Sequence, residues 1–544
     1  MVKIENTSKL SAQYLPGDRI MVLTLVLLTI CNICGPANAD TSIYVFDPSQ
    51  STVTQTGGFA GVHDIYGIEG KFQLTVDFDA GFASFDRVDA NLTNPSGFLY
   101  TQSLGVLFNM TGLAGTIIDE TTIEFEGKTT DGTKSDVSLK LSLSDDMARL
   151  TGNVTPPPNS ADMFFFEIDA VATRKYAGGT GGPNNPYQIA TAEDLILLGE
   201  TPEDYDKHFI LTADIDLDPN LPGRKVFDRA VIAPDINDAG DGFQGATFTG
   251  VFDGDGYIIT NLTISGRRYL GLFGQLGLGA MICNLGLEAI DVNGTSDYIG
   301  GLAGHNEGHI TKNYSTGMVH GDDEIGGLLG DNLGYVTECY SAGLVKGDES
   351  VGGLVGENYG SITTSYSTCM VSGWENVGGL SGYNSYDGQI NRCFSTGLVT
   401  GAEDVGGLVS GNNVNITDCF WDMETSGQDT SVGGEGKTTA EMQTANTFLE
   451  AGWDFVGETD NGTEDIWTIC EGTNYPRFVW QIPVGDFVCP DGITIDDFLF
   501  FLGHWLNDNC DSSNGYCDGT DLDRSGTVDV NDLEIFFENW PAED

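Results

Sequence analysis

Residues 299–321 read IGGLAGHNEGHITKNYSTGMVHG, residues 325–347 read IGGLLGDNLGYVTECYSAGLVKG, and residues 351–373 read VGGLVGENYGSITTSYSTCMVSG. These are copies of one unit. Its start recurs at a constant interval, at Ile299, Ile325, Val351 and Val377, and then slightly late at Val405, because Ser385-Tyr386-Asp387 carries an insertion. A worn sixth copy, YLGLFGQLGLGAMICNLGL at 269–287, precedes them, so the array is expected to start near Leu270. A fixed period of about 26 residues marks a repeat architecture.

Within each copy the apolar residues fall into columns: Leu302, Leu328, Leu354, Leu380 and Leu408; Ile310, Val336, Ile362, Ile390 and Ile416; Val319, Val345, Val371 and Val399. Runs of four or five residues rich in Val, Ile and Tyr, separated by glycines, predict three short strands per repeat with sharp corners between them. One such unit cannot bury its own apolar face. Stacked units place each column residue over its equivalent at about 4.8 Å, so the core becomes continuous. The prediction is a parallel β-solenoid (β-helix); a propeller blade needs four strands and about 40 residues, and a helical repeat needs apolar spacing near 3.6.

Asn306, Asn332, Asn358, Asn384 and Asn412 share one column, seven positions after each start. A stacked amide bonds the amides above and below it, which suits a solenoid corner; the competing reading is an exposed row for sugar hydroxyls. Cys283, Cys339, Cys393 and Cys419 share another column with Asn313 and Ser365 and read as small core fillers, of which Cys393 and Cys419 lie on neighbouring coils. The pattern GGLxGxNxGxIxxCYSTGxVxG resembles the GLUG-motif repeats of secreted and surface proteins of bacteria, adhesin-like ones included, over about Leu270 to Gly427. The resemblance implies an extracellular solenoid and brings no catalytic residues with it.

Upstream, residues 176–269 begin with GGTGGPNN at 178–185, a linker, and continue as NNPYQIATAEDLILLGE, HFILTADIDLD and FTGVFDGDGYIITNLTISG. They are expected to form the cap and first coils of the solenoid, with a helix starting at Thr191 and an acidic first turn. This segment resembles the first coils of pectin-lyase-like β-helices, which implies a polysaccharide-degrading enzyme as an alternative function. Such a lyase needs a basic residue. Lys312, Lys346 and Arg392 occupy different places in their repeats, and Arg267 with Arg268 reads as a surface pair. His305 and His309 could face one another across a turn but read as solvated. Acidic residues recur at one turn, as Asp322, Asp323 and Glu324, then Asp348 and Glu349, Glu375, and Glu403 and Asp404, and read as a charged edge that prevents sheet-to-sheet association.

Residues 40–175 alternate strand-like runs such as KFQLTVDFD and DVSLKLSL and predict a separate antiparallel β-sandwich. Residues 428–484, with Trp453, Trp467, Tyr475 and Trp480, read as a C-terminal cap whose aromatics are core rather than sugar platform.

Residues 485–544 carry DLDRSGTVDVND at 521–532. Asp521, Asp523, Ser525, Thr527, Asp529 and Asp532 stand at positions 1, 3, 5, 7, 9 and 12, with Gly526 at the turn, which is the ligand spacing of an EF-hand Ca2+ loop. The preceding DNCDSSNGYCDGT would not hold a helix, so only an exit helix is expected, with Leu533, Phe536, Phe537 and Trp540 on one stripe. Phe498, Phe501, Leu502 and Trp505 repeat that stripe, so the tail is expected to be a small α-helical domain. Two half-motifs of loop and exit helix resemble a type I dockerin, which implies a cohesin-like scaffold protein as partner. The first loop offers Asp491 and Asp497 but has Phe487 and Cys489 at ligand positions, so one full calcium site and one degenerate one are expected. Cys510 and Cys517 are placed to close the connecting loop, with Cys489 as a competitor.

Eighty acidic residues against 23 basic ones give a net charge of −57, which excludes nucleic acid and anionic membrane surfaces as partners. The apolar run MVLTLVLLTIC at 21–31 followed by Ala37-Asn38-Ala39 reads as a signal peptide, residues 1–39, leaving a secreted chain with no transmembrane segment. Of 11 cysteines, Cys31 and Cys34 leave with it; the remaining nine form no CxxC pair for zinc, and their odd number requires a free thiol or an external partner. The expected function is that of a non-catalytic, calcium-binding surface or matrix protein, with a solenoid for adhesion or glycan binding and a tail for attachment to a scaffold or cell surface. A structural surface-layer component is a further alternative.

Overall fold

The computed structural model describes residues 40–46, 50, 52–57, 62–77, 82–93, 114–119, 122–128, 136–144, 147–155, 164–237, 242–411, 415–458, 460–489, 492–510 and 515–540. The expected leader at 1–39, Asn412 and Asp491 lie outside them. Two compact units result, residues up to 190 with 207–212, and the remainder.

The first unit is antiparallel, as its alternation predicts. Phe72, Leu74, Ile123, Phe125, Leu139, Leu141, Leu150 and Ile168 are buried, while Glu124, Lys140 and Arg149 between them face outward. Its nine strands form one sheet rather than the two of a sandwich. The long strand Val62–Asp77 pairs along one edge with both Thr52–Gly57 and Asp40–Phe46, and along the other with Phe82–Thr93. Phe164–Arg174 pairs with the same two short strands, so the pairings run round and close on themselves. Alternation marks which face is buried; it does not say whether the edges of a sheet meet. Closure removes the open edges.

The second unit is a parallel β-solenoid. In one coil the strands are Asp323–Gly326, Leu329–Asn332, Tyr335–Thr337 and Tyr340–Lys346, four rather than the expected three. The additional strand is the acidic stretch with the repeat's first residue, which the sequence reads as a turn. Each strand pairs in parallel, in register, with its counterparts one repeat away, as in Ile325↔Val351↔Val377. Leu302, Leu328, Leu354, Leu380 and Leu408 are all fully buried, as are Ile310, Val336, Ile362 and Ile390. At about 25 cal/mol per Å2 of apolar surface removed from water, such uninterrupted columns supply most of the driving force.

Glycine at 317, 343 and 397 is imposed by coil contact: a Cβ on Gly343, at φ +125°, would collide with the Gly317 carbonyl oxygen. Cys369 occupies this column in the intervening coil; there the strand is split into Tyr366–Ser367 and Met370–Ser372, as it is around Gly397 into Phe394–Ser395 and Val399–Thr400. The helix Ala192–Gly199 begins at Thr191 as predicted, with a capping box to Asp194.

Residues 438–481 do more than close the end. The register Tyr314↔Tyr340↔Tyr366↔Phe394↔Phe420 forms an outward aromatic column, opposite to the inward Ser341 and Ser367. Met442, Phe448, Trp453, Phe455, Trp467 and Phe478 pack against its distal half. Trp453 and Trp467 are core, as expected; Tyr475 and Trp480 remain half-buried.

Candidate metal centre

The C-terminal module is built on two short helices, Ile495–Gly503 and Val530–Glu538, whose Phe498, Phe501, Phe536 and Phe537 interlock with ring centroids 5.5–5.8 Å apart. Each helix opens with a capping box, Thr494 with Asp497 and Asp529 with Asp532. The internal duplication read from the sequence is therefore present in the caps. The last acids are held alike, Asp532 accepting from the Asp523 and Asp529 N–H groups as Asp497 does from those of Val488 and Thr494; among the described residues, the halves differ in the carboxylates that gather around Asp532 and not around Asp497.

In the second half, carboxylate oxygens of Asp521, Asp523 and Asp532 all lie within 4.8 Å of one another. Asp532 is fully buried and Asp521 is 2% exposed. Backbone N–H groups fold the loop around them: Ser525 donates to Asp521 and Asp523 at 3.0 and 2.9 Å, Gly526 to Asp521 at 3.0 Å, and Asp523 to Asp532 at 3.0 Å. Gly526 takes φ +95°, the conformation for which the glycine was expected. Burial, joined by the neighbouring Asp532 carboxylate, raises the Asp521 pKa, whereas the Ser525 hydrogen bonds lower that of Asp523.

Three like charges gathered at one point, two of them buried, suit a hard divalent cation that takes oxygen ligands. The fit of the other three predicted ligands is less direct. The Ser525 hydroxyl donates to the Thr527 carbonyl at 3.2 Å, placing both beside the acidic trio, while Asp529 accepts from Asn531 N–H as the helix N-cap. Among the described residues, no right-handed helix enters the loop. Gly515–Asp518 is a turn in which Tyr516 and Cys517 have φ +57°, and it is held by the disulfide Cys510–Cys517.

In the first half Asp497 is 1% exposed and saturated. It accepts from Phe487 and Val488 N–H at 2.6 and 2.9 Å and from the Thr494 N–H and hydroxyl at 2.8 Å each. Burial alone would raise its pKa, but these donors prevail and lower it. Val488, whose amide holds Asp497 as that of Asp523 holds Asp532, brings no carboxylate to the first half. Cys489 does not compete for Cys510 or Cys517; it is bonded to Cys470, which ties the module to the segment packed on the solenoid.

On the solenoid, the acidic turn is an in-register strand ladder, Asp323↔Glu349↔Glu375↔Glu403. Asp297, Asp322 and Asp323 offer a second group of converging carboxylates at its head, half-buried or exposed. Behind it, burial raises the Glu324 pKa to about 8, helped by Asp331 and Glu357. Two readings of the basic residues change. Arg268 is not a surface residue: it is 10% exposed and bonds the buried Asp235 at 3.0 Å. His305 and His309 do not face each other; His305 bonds Asp331 at 3.0 Å and His309 stacks on Tyr335 at 4.6 Å, because stacked coils offer each a partner from the next repeat.

No family model matches the chain, and no solved structure matches it. A stretch of 164 residues, 28% of the chain, is 34% identical to Halomucin of Haloquadratum walsbyi, of which it covers 2%. A stretch of 147 residues, 25% of the chain, is 36% identical to a putative Gly-rich membrane protein of Evansella cellulosilytica and covers 15% of it. The chain thus spans a small fraction of the curated relatives it matches.

Proposed function

We propose that this is a secreted or surface-held, non-catalytic protein whose solenoid engages glycans or a cell surface and whose C-terminal module, ordered by calcium, attaches it to a scaffold. The observation that carries the reading is the convergence of Asp521, Asp523 and Asp532 in a small module bounded by two disulfides. Disulfides persist in oxidising, extracellular surroundings, where calcium is also abundant. The names of the partial relatives, a halomucin and a membrane protein, support a surface setting. Among the described residues no helix is long and apolar enough to cross a membrane, so attachment through a docking module is the consistent alternative to a helical anchor.

Asp521, Asp523 and Asp532, with the Ser525 and Thr527 oxygens, would hold the ion. Calcium, when bound, supplies positive charge that offsets their repulsion. In this role binding energy is folding energy. The dockerin-like duplication proposes a cohesin-like partner. The test is retention of the full chain on envelope fractions or an immobilised cohesin panel, with calcium and with chelator: calcium-dependent retention, lost in the Asp521→Ala, Asp532→Ala variant, is expected, and retention indifferent to both overturns the attachment role.

A further inference from the structure

Along the outer wall of the solenoid runs a cavity of about 860 Å3, within the range of ligand sites. Its floor is the outward aromatic column. The rings of Tyr314, Tyr340, Tyr366 and Phe394 stack in parallel, with centroids 4.8, 5.0 and 4.8 Å apart. Their burial grades along the column: Tyr314 and Tyr340 are half-buried, Tyr366 is 6% exposed and Phe394 is sealed. The trench is therefore open at one end and runs under the cap at the other.

Its far wall is the strap 473–481, folded back from the cap. There Trp480 stacks on Phe478 at 5.2 Å and stands 6.0 Å from Tyr340 and 6.4 Å from Tyr314, with its plane inclined to theirs by 33° and 27° respectively. Gln481 fixes the strap by bonding the Tyr366 hydroxyl at 2.8 Å. At the open end the column continues into Gly286, where a Cβ would meet the Tyr314 ring at 2.5 Å. The missing side chain lets the Tyr314 ring lie over Gly286, where its hydroxyl donates to Glu288 at 2.6 Å. Lining positions run from Asp255 through Asn284, Lys312 and Tyr340 to Phe394, several coils in succession at about 4.8 Å each.

We infer that this trench is a binding site for a linear oligosaccharide lying along the solenoid axis. The inference rests on the glycan reading above and locates it. Sugars present apolar C–H faces and hydroxyl edges together, and the trench matches both, with aromatic rings beside the amides of Asn284 and Gln481, the Lys312 ammonium and the Arg477 guanidinium. Its length across several coils suits a chain rather than a compact small molecule. A lipid would require an apolar lining throughout. A peptide recognised by strand addition requires an open sheet edge, and the strands beneath the trench are paired on both sides. The described members of the stacked Asn column, the other candidate row for sugars, are fully buried and unavailable.

The probe is an array of linear neutral and uronate oligosaccharides, applied to the full chain and to two variants. Thr368 and Arg477 are exposed, so Thr368→Trp fills the trench at its rim without disturbing the core, and Arg477→Ala removes a donor. Binding by the parent, weakened at least tenfold in both variants while the thermal midpoint is unchanged, is the expected result. Binding that survives both variants overturns the trench assignment and leaves the glycan reading standing elsewhere on the solenoid. No binding by the parent to any member of the array overturns both.

Discussion

At the residue scale, two columns show how the solenoid satisfies polar groups that stacking buries. Asn306 donates to Asn332, Asn332 to Asn358 and Asn358 to Asn384, each at 2.8 Å, and all four are fully buried. This is the ladder the repeat spacing predicts, and burial settles it against a sugar-facing role. Replacing Asn332 by Ala leaves the Asn306 amide only its 3.4 Å bond to the Gly308 carbonyl and takes the Asn332 donor from the Asn358 oxygen, a loss of about 2–4 kcal/mol in stability, measurable by denaturant unfolding. The cysteine column was legible in place except at Cys283, which pairs with Thr311 and leaves Leu285 to meet Asn313, and its purpose was not legible. Its members are acceptors and donors as well as fillers: Cys393 N–H donates to Cys419 Sγ at 3.4 Å, and Cys419 Sγ donates to the Thr417 carbonyl at 3.0 Å. Asn313 and Ser365 do the same in other coils, which explains why such different residues share one position. Cys339, Cys369, Cys393 and Cys419 are free thiols. Cys419→Ser should therefore be nearly neutral, whereas the similarly sized Cys419→Val should cost about 1–2 kcal/mol by stranding the Cys393 N–H; equal effects would contradict the polar role.

At the scale of the element, the acidic strand is what the sequence could not disclose. Its period was plain, but short acidic runs carry no strand propensity, and pairing with identical strands above and below imposes the conformation instead. The consequence is a row of carboxylates held in register. Glu324 is the extreme case, because burial raises its pKa to about 8, with Asp331 and Glu357 adding to the effect. Unfolded, it would titrate near the ordinary value of 4.5. The folded state thus holds its proton more tightly than the unfolded one. Its contribution is fully present below about pH 4.5 and is lost as pH rises towards about 8, so stability should decline across that window. Glu357 and Glu338, whose pKa values burial also raises, act in the same direction. Thermal midpoints of the parent and Glu324→Gln between pH 4.5 and 8.5 check this: the variant should show a shallower decline, and parallel curves would contradict the assignment.

At the scale of the whole molecule, legibility followed repetition. A solenoid repeats its contacts, so one coil's residues announce the next coil's, and the fold could be read from columns alone. Regions whose neighbours are not sequence equivalents were harder. The closed sheet of the first unit depends on which edges meet, and the aromatic trench depends on a strap returning from residues more than a hundred positions away, as the Tyr366–Gln481 bond shows. The acidic C-terminal loop lies between these cases: its spacing marked Asp521, Asp523 and Asp532, which converge, while the first half has Val488 where the second has Asp523. That asymmetry makes the metal stoichiometry the most direct test. Calorimetric titration of the full chain with calcium, after chelation, should give about one strong site per chain, absent from the Asp521→Ala, Asp532→Ala variant, with any binding along the acidic edge weak. Two equal strong sites, or a strong site that survives in the variant, would contradict the account.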